Sequence, residues 1–186
     1  MSKQYERVIL TADMMNTARA SIPDIRVYRT QASLIDTLAG ALGEFAFAQW
    51  LTGDWKAHEV NQNKGAIDFR GIVEIKTSAF PFSESLNLLV REDYARKRHP
   101  PLYVQIIIDV SDPKAKDVLI GTQAVIAGFA LGDEIANAPL KDFGSKLGGK
   151  GGYRCYYIMI RDLHPMKEFR ASYDRLLADR DRRQTH

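Results

Sequence analysis

Apolar positions follow two different spacings along this chain, and the change between them divides it into helical and extended segments. The opening segment, to about Ile22, has helical spacing, and Pro23 is expected to end it because proline disfavours the helical conformation of the residue before it. A stronger helical pattern begins at Ser33, which forms a capping-box sequence with Asp36. Apolar residues then continue at helical spacing as far as Gly53. The first third of the chain is therefore expected to form two helices.

The middle of the chain changes to the pattern of β-strands. Extended segments are expected at 57–60, 65–69, 72–78, 103–110, 117–125 and 153–160. The run from Val104 to Val110 is almost continuously apolar, which is typical of a strand covered on both faces. Helical spacing returns after Pro165, so the chain should end in a helix. The pattern predicts a single α/β domain over residues 1–186, with a mixed central β-sheet flanked by helices.

Composition agrees with a globular domain. The chain has 186 residues, of which 45% are hydrophobic and 26% charged. No stretch approaches the roughly 20 uninterrupted apolar residues of a membrane span, and the first residues lack the apolar segment of a secretory signal. We therefore expect a cytoplasmic protein with no membrane association. The single cysteine, Cys155, lies in an apolar run and is expected to be a buried structural thiol.

The net charge of +3 permits binding to a polyanion without requiring it. Basic residues cluster at 91–99, at 141–154 and in the tail at 175–183. Each cluster taken alone is typical of a solvated face. The first two are also expected to lie on the rim of a site that contacts phosphates.

One segment, residues 65–78, places acidic and basic residues among apolar strand positions. Glu74 and Lys76 are two residues apart on an expected strand, so their side chains leave the same face. Asp68 precedes them across a turn, and a two-residue turn would aim it away from Glu74. A three-residue turn over 69–71 would put all three groups on one face, and Gly71 favours it because glycine readily adopts a positive φ.

Two carboxylates and a lysine on one face suit phosphodiester hydrolysis. Carboxylate oxygens are ligands for Mg²⁺ or Mn²⁺, and such an ion would polarise the scissile phosphate and generate hydroxide from a bound water. Lys76 would orient that water or neutralise the charge that builds on phosphorus in the transition state. Gln105, at the start of the next strand, could help to position the site.

The order Asp68, then Glu74-Ile75-Lys76, resembles the D…(D/E)-x-K motif of PD-(D/E)XK nucleases, the restriction-endonuclease-like superfamily. Glu44, on the preceding helix, is similar to an additional acidic residue that several branches of that superfamily place there. The expected order of helix, three strands, helix and strand also resembles the family's core, over about 33–110. Residues 111–186 would then add further strands and the C-terminal helix.

The resemblance implies a nuclease that hydrolyses phosphodiester bonds in DNA with Mg²⁺ or Mn²⁺. Asp68, Glu74, Lys76 and Glu44 would be catalytic, and Asp68, Glu74 and Glu44 would be the metal ligands. The preference for DNA over RNA rests on the resemblance alone. The compact domain fits a phage or mobile-element nuclease, and a homodimer is left open.

Several alternatives stay open. The chain could be a nucleic-acid-binding or assembly protein that kept the fold without turnover, or a metal-dependent enzyme acting on small phosphorylated molecules. Glu74 and Lys76 could form an exposed ion pair on a solvated strand face. Glu44 could be a structural link to an arginine or to backbone amides.

Overall fold

The computed structural model describes residues 3–25, 34–57, 67–143 and 153–184. Within these ranges the helices are α1 (Ala12–Ile25), α2 (Leu34–Thr52), α3 (Glu92–Lys97), α4 (Gly132–Ala136) and α5 (Phe169–Gln184). The strands are β1 (Glu6–Ile9), β2 (Val73–Phe80), β3 (Asn87–Arg91), β4 (Leu102–Asp109), β5 (Gln123–Leu131), β6 (Leu140–Asp142) and β7 (Arg154–Met159). Short 3-10 turns occur at Trp55–Ala57, Ile160–Asp162 and Met166–Glu168.

The strands form two sheets. The larger sheet has the order β1-β5-β4-β2, in which β2 and β4 are parallel and the other neighbours are antiparallel. The smaller sheet has the order β3-β7-β6 and is antiparallel. The predicted α/β domain with a mixed sheet flanked by helices is therefore confirmed. A restriction-endonuclease-like core stays a prediction.

The main hydrophobic core lies on the face of the larger sheet that α1, α2 and α5 cover. Helix α2 is apolar on almost every side, and nine of its residues are buried. The aromatic rings of Phe47, Phe69 and Phe169 meet edge to face in this core, with centroids 5.4–5.5 Å apart. Such a helix is held mainly by tertiary packing, because it has no continuous polar face to present to water.

A second core lies on the opposite face of the larger sheet. There, Tyr103, Ile107 and Val125 pack against residues of the smaller sheet such as Leu88 and Val90. Because side chains alternate along a strand, β2 directs successive residues to opposite faces of the larger sheet. Its odd-numbered positions from Val73 to Ala79 contribute to or pack on the main core, and the even-numbered positions face the other way. The strand thus directs Glu74 and Lys76 to the side of the sheet that carries the second core.

Helix α2 and strand β2 approach closely at Gly43. A methyl group added at Gly43 would lie 2.0 Å from Oγ1 and 2.9 Å from Cβ of Thr77. Glycine is required here by space, since contacts below 3.0 Å force the neighbouring atoms to move. The contact also joins the two parts of the candidate site, because Gly43 precedes Glu44 and Thr77 follows Lys76.

Replacing Gly43 with alanine is therefore expected to lower the free energy of unfolding by about 2 kcal/mol, through overpacking against Thr77. Gly40→Ala is the matched control on the same helix. No atom lies within 4 Å of the methyl group it would add, and alanine favours helix by about 1 kcal/mol over glycine. Urea unfolding of the two variants should give opposite signs, and Thr77→Ala should partly rescue Gly43→Ala. If Gly43→Ala and Gly40→Ala both change the free energy of unfolding only slightly, α2 can shift away from Thr77 at little cost.

A β-bulge interrupts the pairing of β4 with β5. Gln105 pairs with Gly128 and Ile106 pairs with Ile126, so β5 carries one extra residue, Ala127. Gly128 has φ +143°, and an added methyl group there would lie 2.8 Å from the carbonyl oxygen of His164. The bulge therefore depends on glycine, for both backbone conformation and space.

Several predicted elements were wrong or displaced. Residues 6–9 form a strand, not a helix, because they pair antiparallel with β5, and α1 continues through Pro23 to Ile25. The strand expected at 117–125 begins only at Gln123, after a turn in which Gly121 has φ +87°. Residue 57 lies in a 3-10 turn, and β3, α4 and β6 were not predicted, whereas α3 lies where the expected order placed a helix before the strand at 103–110. The capping residue Ser33, the remainder of the strand expected at 57–60, and residues 65–66 lie outside the described residues.

Candidate active site

The turn that leads into β2 positions Asp68. Phe69 and Val73 exchange two backbone hydrogen bonds of 2.9 and 3.1 Å, and the chain reverses through Arg70 and Gly71 with φ of 50° and 67°. The positive φ of Gly71 was predicted, but the predicted pairing of Asp68 with Ile72 is wrong. The three-residue turn lies one residue further along, at 70–72. Phe69 and Val73 form the bridge, so Asp68, before Phe69, and Glu74, after Val73, lie opposite each other.

Asp68 lies among charges of both signs. Its Oδ2 accepts a hydrogen bond of 2.7 Å from the backbone N–H of Ile75. Burial, followed by the negative charges of Glu74 and Glu44, raises the pKa of Asp68 from 3.8 to about 7, against the opposing effects of the Ile75 N–H and Lys76. All four predicted site residues therefore interact electrostatically at one place.

Glu74 is a buried acid with one paired and one unpaired oxygen. Its side chain is 8% exposed, and its Oε1 lies 2.6 Å from Nζ of Lys76 and 3.8 Å from a guanidinium nitrogen of Arg98. Its Oε2 is buried without a hydrogen-bond partner among the described residues. The alternative of an exposed ion pair on a solvated face is therefore wrong for Glu74. A buried carboxylate oxygen without a partner is costly and favours binding of a positively charged group.

Glu44 comes to the site from the other side of β2. It is half-buried on α2, directly after the residue that contacts Thr77. Its charge contributes to the raised pKa of Asp68, after burial and Glu74. Glu44 thus acts electrostatically on Asp68, and its role as a metal ligand stays a prediction.

Two residues that the motif does not contain also lie at this site. Arg98 follows α3 and approaches Glu74, and Tyr103 is paired with Glu74 in the register of β2 and β4. Burial, followed by the negative charge of Glu74, raises the pKa of the Tyr103 hydroxyl to about 12. Arg98 belonged to the basic cluster predicted for the rim, whereas Tyr103 could be found only once the parallel pairing of β4 with β2 was known.

Gln105 lies beside Lys76 across the same strand pair. It is 1% exposed, and its side-chain amide donates a hydrogen bond of 3.0 Å to the carbonyl of Ile106. The predicted positioning role of Gln105 stays a prediction.

The carboxylates offer oxygen ligands for a divalent cation. In the part of the chain that the structure describes, no three His, Cys, Asp or Glu side chains are arranged as a ready-made metal site. Mg²⁺ commonly binds through one or two carboxylates and keeps several waters. Asp68 and the unpaired oxygen of Glu74 match that requirement in number and chemistry.

Of the predicted basic clusters, only part lies at the candidate site in the described residues. Arg98 reaches the site, whereas Arg91 pairs with Asp93, and both Arg96 and Arg154 pair with Glu92. These pairs lie on α3 and on the neighbouring strands β3 and β7. Residues 144–152 of the second cluster lie outside the described residues. In the C-terminal cluster, Arg180 and Arg182 pair with acidic residues of α5 itself.

Comparison of the chain with models of known protein families, with characterised proteins and with solved structures gave no significant match. Function is therefore inferred from the residues of the site. None of the described helices has the length and apolar character needed to cross a membrane.

The raised pKa of Asp68 predicts a specific pH dependence of stability. Between pH 4 and 7 the folded state holds a proton on Asp68 that the unfolded state has released, so the free energy of unfolding should fall as pH rises through this window. Asp68→Asn keeps an acceptor for the Ile75 N–H and removes the titration. It should therefore be more stable than the wild type at pH 8, by on the order of 3 kcal/mol.

Denaturant unfolding of the metal-free protein at pH 4 to 8 measures this effect. Asp93→Asn is the control, because its Arg91 partner lowers the pKa of Asp93 from the ordinary value of 3.8, below the window. If the free energy of unfolding changes with pH in the same way for the wild type and Asp68→Asn, the pKa of Asp68 is not raised in the folded protein.

Proposed function

We propose that this protein is a Mg²⁺- or Mn²⁺-dependent nuclease that hydrolyses phosphodiester bonds in DNA. The observation that carries the proposal is the buried, half-unpaired carboxylate of Glu74, held beside Lys76 and next to an Asp68 of raised pKa. A purely structural ion pair would satisfy both oxygens of a buried acid. Here one oxygen is paired by Lys76, and the other is left for a cation.

Each residue has a distinct role in this proposal. Asp68 and Glu74 would hold the metal, and Glu44 would add negative charge close to them. A bound divalent ion supplies Lewis-acid activation of the phosphate and a water of lowered pKa. Lys76 places a positive charge where negative charge develops during attack on phosphorus. Arg98, 3.8 Å from Glu74, would contact the phosphate of the substrate.

The orientation of Asp68 supports this division. Its Oδ2 is occupied by the backbone N–H of Ile75, which fixes the carboxyl group relative to β2. A hydrogen bond from the main chain pre-orients a ligand and removes the need to order it on metal binding. The raised pKa of Asp68 further means that metal binding should release a proton near neutral pH.

The test combines calorimetry with cleavage. Wild-type protein is titrated with Mg²⁺ and Mn²⁺ in two buffers of different ionisation enthalpy, which counts the protons released. Labelled single-stranded, double-stranded and branched DNA is then incubated with the protein, with and without the ions. We expect metal binding with proton release near pH 7 and ion-dependent cleavage. Wild-type protein that binds no divalent ion would overturn the proposal and favour a nucleic-acid-binding or assembly protein.

The basic residues near the site give a separate prediction about substrate binding. Arg96→Ala with Lys97→Ala should weaken DNA binding and flatten its salt dependence, by about 0.7–0.9 in the log–log slope for each phosphate that the protein no longer neutralises. Lys114→Ala with Lys116→Ala is the matched control, because both lysines are exposed in the loop between β4 and β5. Fluorescence anisotropy over a range of salt concentrations measures the slope. If the salt dependence of Arg96→Ala with Lys97→Ala is unchanged, α3 does not contact the DNA.

A further inference from the structure

Two exposed aromatic rings contact the same arginine, close to the candidate active site. The guanidinium carbon of Arg91 is 5.1 Å from the centroid of the Tyr94 ring and 5.3 Å from that of Tyr153. The two tyrosines are 41% and 48% exposed, which places them among the most exposed large aromatic residues of the described chain. We call Tyr94, Arg91 and Tyr153 the aromatic platform.

The aromatic platform is continuous with the site. Arg98 lies 5.5 Å from the centroid of the same Tyr94 ring, and it also lies 3.8 Å from the carboxylate of Glu74. The platform is built from three neighbouring elements, because Arg91 ends β3, Tyr94 lies on α3 and Tyr153 directly precedes β7. The pairing of Arg91 with Cys155 in the smaller sheet fixes this arrangement. A ligand on Tyr94 would therefore be one arginine away from the proposed metal ligands.

The polar contacts of the aromatic platform indicate different roles for Arg91 and for the two tyrosines. Two hydrogen bonds of 3.0 and 2.8 Å tie the Arg91 guanidinium to the carboxylate of Asp93, so Arg91 is largely neutralised and serves to hold the rings. With these guanidinium contacts in place, Tyr94 and Tyr153 still keep 41% and 48% of their surface exposed. Large exposed rings beside cations are a combination that binds flat, electron-rich groups by stacking, with phosphates held by neighbouring positive charges.

We propose that the aromatic platform binds unpaired nucleotides by stacking bases on Tyr94 and Tyr153, and that the substrate is therefore single-stranded beside the scissile phosphate. The step to cleavage rests on the proposed nuclease function, whereas the stacking does not. Every base has a face that can stack, so this binding is tolerant of sequence. Bases inside a duplex have both faces covered and cannot use the rings. Arginine and lysine contacts with phosphates, by contrast, serve either kind of nucleic acid.

The test measures binding in EDTA, where no cleavage occurs. Fluorescein-labelled oligo-dT, the matching oligo-U and a hairpin duplex of equal length are titrated with wild-type protein and variants. Tyr94→Leu and Tyr153→Leu keep apolar bulk without the ring, and Tyr94→Phe and Tyr153→Phe keep the ring. Phe80→Leu is the control at a ring of matched exposure, 43%, at the end of β2. Thermal melting of each variant shows that it is folded.

We expect each leucine variant to bind oligo-dT about tenfold more weakly and the duplex almost unchanged, with the phenylalanine variants and Phe80→Leu close to wild type. Equal binding of oligo-dT and oligo-U would extend the proposal to RNA, and tighter binding of oligo-dT would restrict it to DNA. Leucine variants that bind oligo-dT as tightly as wild type would overturn it, even if Mg²⁺-dependent cleavage persists. Loss of oligo-dT binding in a protein that cleaves nothing would support the platform and reject the nuclease.

Discussion

Replacing Glu74 with glutamine is expected to abolish cleavage while leaving the fold intact. Glutamine keeps the shape of the side chain but removes the charge that Lys76 and a divalent ion would both need. Calorimetry should show weakened metal binding, and single-turnover cleavage should fall to the uncatalysed background. The melting temperature should change little, because a neutral amide in a buried position carries a smaller desolvation cost than a carboxylate with one oxygen unpaired.

Glu92→Gln is the matched control for this experiment. Glu92 is also a largely buried acid, with a side chain 17% exposed, and it pairs with Arg96 and Arg154 on the same side of the molecule. It should retain both metal binding and cleavage. If Glu92→Gln and Glu74→Gln lose activity to the same extent, the effect comes from the charge of the surface and not from a metal ligand.

Lys76→Ala should lower the rate of cleavage about a hundredfold, which corresponds to roughly 3 kcal/mol of transition-state stabilisation. Metal binding should persist or become tighter, since the alanine variant frees Oε1 of Glu74 from its 2.6 Å contact with Nζ. The DNA should still be held by the other basic residues. The distinguishing result is thus a loss of single-turnover rate without a loss of metal or DNA affinity.

Lys97→Ala, in which an exposed lysine of α3 is removed, should show the converse pattern of weaker DNA binding with an unchanged rate at saturation. If Lys76→Ala cleaves DNA at the wild-type rate, Lys76 does not stabilise the transition state. It would leave Arg98, a second cation near Glu74, as the group that faces the phosphate.

The common face of Glu74 and Lys76 could be predicted because it depends only on the two-residue period of a strand. The pairing partner of Asp68 could not, because it depends on where the turn closes. Moving the turn by one residue changed the expected partner of Asp68 from Ile72 to Glu74. The positive φ of Gly71 was predictable from residue type, whereas the positive φ of Arg70 was not.

The proximity of Arg98 and Tyr103 to Glu74 could not be predicted from local patterns, although Arg98 belongs to a basic cluster predicted for the rim. Their approach to Glu74 depends on the parallel pairing of β2 with β4 and on the path of the chain between them. The same reason explains the first residues of the chain, where pairing of β1 with β5 outweighs the local pattern. The long apolar helix α2 and the buried strand β4 were predictable, since their hydrophobic patterns match their burial over many residues.

The bulge between β4 and β5 determines which residues of β5 enter each core. Ala124 and Ile126 face the main core and Val125 and Ala127 the second, but beyond the bulge it is the odd-numbered Phe129 that lies in the main core. The extra residue therefore acts as a frame shift in the alternation of side chains. Deleting Ala127 would restore regular pairing and leave Phe129, then two residues after Ile126, on the face where it contacts Phe169. The bulge is consequently the point at which β5 can change its length by one residue without reversing the faces of the residues beyond it.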